Sequence, residues 1–355
     1  MQINQITFTR FIAALTVVFF HYGSHTLPAS IPWLKESIMA GPVAVNFFYV
    51  LSGFIMAIAY YQIKPAAPIN KKRYWIARFA RIYPVYLVAL LLMTVANFSD
   101  LGEKPLSLPL HITMLQAWLP SYPMTLNNPG WSLSVEAFFY LCFPFLLALI
   151  YHSGLKYLTF TTLICWLITQ YVLLSGINSP EYSVNGSLHD FVYYNPLMHL
   201  NAFLTGLVCG VIFKQNAETR SQSSSIWLLG SVVLIIILLE TRPLLESLIG
   251  LKIAYTNGLI APAFLLFIWL LASNKGRTQR WLSHPFLVLL GEASFSLYIL
   301  QKPVFGLYKK VLEKRLDLGE VTDFFIALTL LIIVSIASYK LFETPARALI
   351  NRKLN

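Results

Sequence analysis

The chain has 355 residues, of which 57% are hydrophobic, 15% aromatic and only 12% charged, with a net charge of +11 and a mean hydropathy of +0.64. A soluble domain carries about 25% charged residues. Half that density cannot cover a water-facing surface, which excludes a soluble globular enzyme together with disordered, collagen-like and coiled-coil chains.

Apolar runs of about 17–25 residues are continuous and do not alternate as barrel strands do. The fold class read from them is an all-α polytopic membrane protein. In chain order, spans are predicted at about 6–24, 43–61, 82–98, 131–150, 157–175, 196–213, 226–239, 248–272, 285–308 and 322–341. Between the third and fourth, Leu108–Leu119 is too short to span and reads as a re-entrant or surface helix. About ten spans put both termini on one side. Lys71, Lys72, Arg73, Lys275, Arg277, Arg280, Arg347, Arg352 and Lys353 gather on that side, so both termini are predicted to be cytoplasmic. The cluster Lys309, Lys310, Lys314 and Arg315 opposes the trend, but Glu313, Asp317, Glu320 and Asp323 dilute it. In this setting the positive balance reflects cytoplasmic loops, and no nucleic acid is expected as a partner. No repeat divides the chain, and one domain over 1–355 is expected. Cys142, Cys165 and Cys209 all lie in apolar runs, and no disulfide or metal-ligand spacing is visible.

An ionisable group within a span costs about 2.5–3.5 kcal/mol on insertion scales, so each one suggests a function. Arg10, His21, Glu136 and Lys302 stand out. Arg10 and His21 are 11 residues apart, about 20° past three full turns, so they share a helix face with an axial separation of about 16 Å. Each alone has a plain reading: Arg10 snorkels to headgroups, or His21 is a satisfied core histidine. On the predicted boundaries Glu136 lies at a depth similar to His21, and the two are expected to meet. A carboxylate bonded to imidazole fixes its tautomer and raises its basicity, as a general base needs. A purely structural pair between helices is the alternative. Arg78 and Arg81, at i and i+3, share a face at the predicted mouth of the third span. Paired guanidiniums there suit a polyphosphate, or they anchor the chain to anionic membrane lipids. Trp118, Tyr122, Trp131, Tyr182, Tyr193 and Tyr194 fall on the outer side, either as rings that stack on sugars or as an interfacial belt.

These residues also carry a resemblance. The segment TRFIAALTVVFFHYG, with ten residues between Arg10 and His21 in its Arg-x10-His pattern, resembles the opening of the bacterial acyltransferase 3 family. VNFFYVLSGF, RFARIYPVYL, WSLSVEAFFYLCFP, GEASFSLYILQKPV and FETPARALI complete the family's motifs in order, from about residue 5 to 350. The resemblance implies a multi-pass protein of the bacterial inner membrane that moves an acetyl or other short acyl group from cytoplasmic acyl-coenzyme A to a hydroxyl of a glycan or lipid-linked glycan. By position it implies His21 and Glu136 as catalytic. Arg10, Arg78 and Arg81 would sit near the phosphates of acetyl-coenzyme A as co-substrate, without a metal. Glu343 and Arg347 would form a structural ion pair at the cytoplasmic end. Asn46, Ser52, Tyr298 and Gln301 are candidates for touching substrate or the oxyanion. Many members have Asp at the place of Asn46 and His at that of Gln301, which leaves His21 as the best base. The chain ends soon after the tenth span, so the extracytoplasmic domain fused to some members is expected to be absent. The competing class is a transporter or flippase of a polar lipid, with Arg10 and His21 lining a path. It should show inverted repeats and matched broken helices, and neither is apparent.

Overall fold

The computed structural model describes every residue except 1, 2, 66, 99–101, 220, 314, 316, 317 and 355. The expected charges Lys314 and Asp317 therefore lie outside the described residues. The long helices are α1 (Asn4–Tyr22), α2 (Gly41–Tyr60), α3 (Lys71–Ala96), α4 (Trp131–Ser153), α5 (Leu155–Ile177), α6 (Leu200–Gln215), α7 (Ser225–Ile249), α8 (Ala261–Ser273), α9 (Pro285–Tyr308), α10 (Glu320–Ser338) and α11 (Thr344–Leu354). Among the described residues there is no strand, only an isolated bridge between Ser223 and Asn274.

Among the described residues, seven helical stretches are long and apolar enough to cross a membrane, those built on α2, α3, α4, α5, α6, α7 and α10. Helices α1 and α9 are not among them, and these two carry the ionisable residues Arg10, His21, Glu292 and Lys302. The short stretch between α3 and α4 folds as a six-residue helix, Ser107–Ile112, followed by a single 3-10 turn at Gln116–Trp118.

One expected span differs. Within 248–272, α7 ends at Ile249 and helix resumes only at Ala261, and the chain between turns through Asn257 at φ 57° and Gly258 at φ 88°. Irregular backbone at membrane depth needs partners supplied by protein. Here α5 supplies them: Trp166 Nε1 donates to the Gly258 carbonyl at 2.7 Å and Gln170 Nε2 to that of Asn257 at 2.8 Å. Hydropathy counts these residues as apolar without registering the turn.

Close helix approach organises the centre. A Cβ at Gly206 would fall 1.9 Å from the Val50 carbonyl oxygen, and one at Gly53 would fall 2.0 Å from that of Phe203. Gly206 and Gly210 form a GxxxG stripe, which lets helix backbones touch in lipid where no hydrophobic force drives them together. Gly291 plays the same part between α9 and α1, against the Thr7 carbonyl. With Thr7 beside Gly291 and His21 beside Gln301, α1 and α9 run parallel.

Candidate active site

Helix α3 begins at Lys71, eleven residues before the expected span, with Asn70 capping it by accepting from the Arg73 amide at 3.0 Å. A hydropathy window discards 71–81 because five cations sit there. Helix formation does not, since Lys and Arg are good helix formers. Arg78 and Arg81 consequently ride about 10 and 15 Å along the axis, not at its mouth, and this shift sets the whole site.

Both arginines meet Arg10 in a cavity of about 290 Å³ enclosed by α1, α2, α3, α4 and α9. The Arg78 guanidinium lies 5.8, 5.9 and 5.8 Å from the ring centres of Tyr60, Tyr74 and Tyr140. Its Nη2 donates to the Tyr60 hydroxyl at 3.4 Å, while its buried Nε has no protein partner. Cation–π faces offset part of the cost of a charge out of water. Arg10 feels Arg81, Glu292 and Glu136, and Arg81 feels Glu292, Glu136 and Glu343. Glu136 accepts a short hydrogen bond from Tyr140, one turn further along α4. Three guanidiniums face two cavity-lining carboxylates, and their donors form a fork suited to an anionic ligand.

The expected contact between His21 and Glu136 is not formed. Glu136 belongs to the arginine cavity. His21 sits at the far end of α1, exposed, and its Nδ1 lies 3.0 Å from Gln301 Oε1. The edges that suggested the contact are nearly right, since α1 ends at Tyr22 and α4 begins at Trp131. Similar axial depth does not fix which neighbour a side chain meets, and Glu136 faces Arg10 and Arg81 while His21 faces Gln301.

Gln301 is fully buried and uses both amide atoms. Its Nε2 donates to the Tyr298 carbonyl at 2.7 Å, which turns Oε1 toward His21. An amide oxygen accepts, so Nδ1 carries the proton and the lone pair falls on Nε2. Through this contact Gln301 positions the imidazole, while its amide nitrogen carries a second N–H. Tyr298 lines the cavity with its hydroxyl 2.8 Å from Ser132 Oγ, so α9 links the arginine cavity to His21. Ser52 lines the cavity as well. Asn46 is buried on α2 with neither amide atom partnered by protein. Lys302 Nζ donates to the Leu126 carbonyl at 2.6 Å and to Asn128 Oδ1 at 2.7 Å, strapping the loop before α4 to α9.

The expected Glu343–Arg347 ion pair also differs. Glu343 is buried in a π turn between α10 and α11, accepts from Ser296 Oγ at 3.2 Å, and feels Arg81 and Arg10 ahead of Arg347. Sequence reasoning missed Glu292, which faces the arginines. The signal was present: it is an acid inside an expected span, like Glu136. Tyr49, Tyr60, Tyr74 and Tyr140 gave no signal, because tyrosines abound in this chain.

The outer aromatics separate into groups. Trp131 packs on Tyr194 and His199, and Trp118 on Phe138. Tyr182 and Tyr193 line a second cavity of about 440 Å³.

Residues 3–340 match a family model described as an acyltransferase domain. The acyltransferase MdmB of Streptomyces mycarofaciens is 27% identical over 318 residues, covering 84% of this chain and 78% of that protein. The peptidoglycan O-acetyltransferase OatA of Listeria monocytogenes is 22% identical over 360 residues, covering 95% of this chain and 54% of that protein. The chain thus spans about half the length of OatA. No solved structure matches the chain.

Proposed function

The chain belongs to the acyltransferase family and is a membrane acyltransferase; from that premise we propose that it moves a short acyl group, acetyl first, from cytoplasmic acyl-coenzyme A to a hydroxyl of an envelope carbohydrate in a bacterial inner membrane. One observation carries the reading: Arg10, Arg78 and Arg81 converge on one cavity, from which α9 leads through Tyr298 and Gln301 to His21. Anionic phosphates of the donor bind at the guanidiniums, by charge-assisted hydrogen bonds. The acyl arm then follows α1 for about 16 Å, the rise of eleven residues. At its end His21 Nε2 takes the proton of the acceptor hydroxyl. That oxygen attacks the thioester carbonyl, the C–O bond forms, the C–S bond breaks, and the proton passes to the departing thiolate. Glu136 and Glu292 act at a distance from the reacting atoms by offsetting the mutual repulsion of the arginines. Tyr298 and Ser52 are the groups best placed on the cavity wall to touch the donor arm.

The test is release of coenzyme A thiol from acetyl-coenzyme A by the purified protein in nanodiscs on addition of a glycan. Wild type should turn over, and His21→Ala should lose at least about 100-fold, the lower end of what general-base catalysis contributes. Retained turnover in His21→Ala overturns the base. No acetyl-coenzyme A consumption with any glycan overturns the function.

A further inference from the structure

The second cavity shares no lining residue with the arginine cavity, and it is built like a ligand site. It begins where α1 ends: Phe20 lines it, about 15 Å along the helix from Arg10, and the Phe20 ring stands 5.2 Å from that of His21. Gly41 makes this possible, since a Cβ there would fall 2.5 Å from the Phe20 side chain. At about 440 Å³ the cavity lies within the usual range for small-molecule sites, about 300–1,000 Å³.

Its walls are tied together before any ligand arrives. Arg242 on α7 donates to Glu36 at 2.5 Å, and the Ser37 amide donates to Glu240 at 2.8 Å. The Ile253 amide donates to Glu246 at 2.7 Å, and the Lys252 amide to Asn178 at 2.9 Å. Four separate segments are thereby fixed around one space, which lowers the ordering cost of binding. The charged side chains stay reachable: Arg242, Glu36 and Glu246 are 35%, 30% and 27% exposed.

Resting on the acyl-transfer reading above, we infer that this cavity seats an uncharged pyranose unit of the acceptor and presents its hydroxyl past Phe20 to His21. The charges point to the class. Arg242 and Lys252 oppose Glu36 and Glu246, so no surplus sign remains to attract a phosphate or a uronic acid, unlike the arginine cavity. What remains is an array of hydrogen-bond donors and acceptors beside the rings of Tyr182, Tyr193 and Tyr255. Such rings offer flat apolar faces to sugar C–H groups and a polar hydroxyl tip to sugar oxygens. A lipid chain would gain nothing from the ion pairs and would have to desolvate them.

The experiment uses a tritiated β-1,4-linked N-acetylglucosamine tetramer and its C6-carboxylated counterpart with the full-length protein in nanodiscs. Binding of each is measured without donor, and acetyl transfer is measured separately with acetyl-coenzyme A. Wild type should bind the neutral tetramer at least tenfold more tightly than the acidic one. Tyr193→Ala and Arg242→Ala should weaken it at least tenfold and raise its KM alike, with the KM for acetyl-coenzyme A unchanged, while Tyr193→Phe retains binding. Because Arg242→Ala can disturb folding, Glu246→Gln serves as the milder charge probe, and thermal melting of each variant confirms folded protein. Equal binding in wild type and folded Tyr193→Ala overturns the inference while leaving acyl transfer intact, as does preference for the acidic tetramer. Binding without any acetyl-coenzyme A consumption overturns the transfer reading, not the site.

Discussion

Two cavities lie at opposite ends of α1, and they handle charge in opposite ways. The one lined by Arg10 keeps three guanidiniums unneutralised by any ion pair within 4 Å among the described residues, cushioned by tyrosine rings and by carboxylates at longer range. The one lined by Phe20 spends its main cation at once, locking Arg242 to Glu36 and Glu246. In low-dielectric surroundings an unneutralised cation is costly, so the first arrangement makes sense only where a ligand completes it. The second uses its charges as fasteners. The difference teaches that burial of charge marks a ligand site only when the pairing is left open. A closed ion pair can equally be architecture around a site of another kind.

The comparison can be broken most completely through the shared wall. Helix α2 contributes to both cavities, and Gly206→Leu would drive a side chain into the Val50 backbone. The expected result is loss of folded protein, read as collapse of the monodisperse peak in size-exclusion chromatography. Equal yield to wild type would mean that α2 and α6 can separate. Next in size, Arg81→Ala should raise the KM for acetyl-coenzyme A by about 10-fold or more, since hydrogen bonds to charged groups contribute about 1.5–3 kcal/mol. The acceptor KM should not move. A parallel rise in both would erase the division of labour between the cavities.

Gln301→Leu sharpens the link between them. It frees the imidazole to take either tautomer, and loss of such an orienting partner typically costs about 10–100-fold. The fall should appear in kcat with both KM values near wild type, and Gln301→Glu should restore part of it. Smallest of all, Tyr140→Phe removes one hydrogen bond to Glu136 and should shift the acetyl-coenzyme A KM by less than about tenfold. A larger effect on kcat than on KM would bring Glu136 back into the chemistry.

Much of the outline was legible without coordinates. Half the usual charge density and long apolar runs dictate a helical bundle, because lipid offers the backbone no other partner. The ionisable residues inside spans gave Arg10, His21, Glu136 and Lys302 for the same reason. The pairings among them were not legible. His21 was matched to Glu136 by counting residues from apolar edges, which are close to the helix ends at Tyr22 and Trp131 but say nothing of which neighbour each side chain faces. Gln301, not Glu136, turned out to orient the imidazole. The family motif named Gln301, as the place where many members carry His, but not its contact with His21.

The sequence by itself determined the solvent this protein lives in and which charges must be special, since transfer free energy is a sum over residues that adds up locally. Tertiary structure alone decided which charges meet. That depends on axial register between helices far apart in the chain, and register is set by contacts such as Gly206 on Val50 and Gly291 on Thr7. That register brings Arg10 of α1 and Arg78 and Arg81 of α3 into one cavity with Glu136, and sets His21 against Gln301.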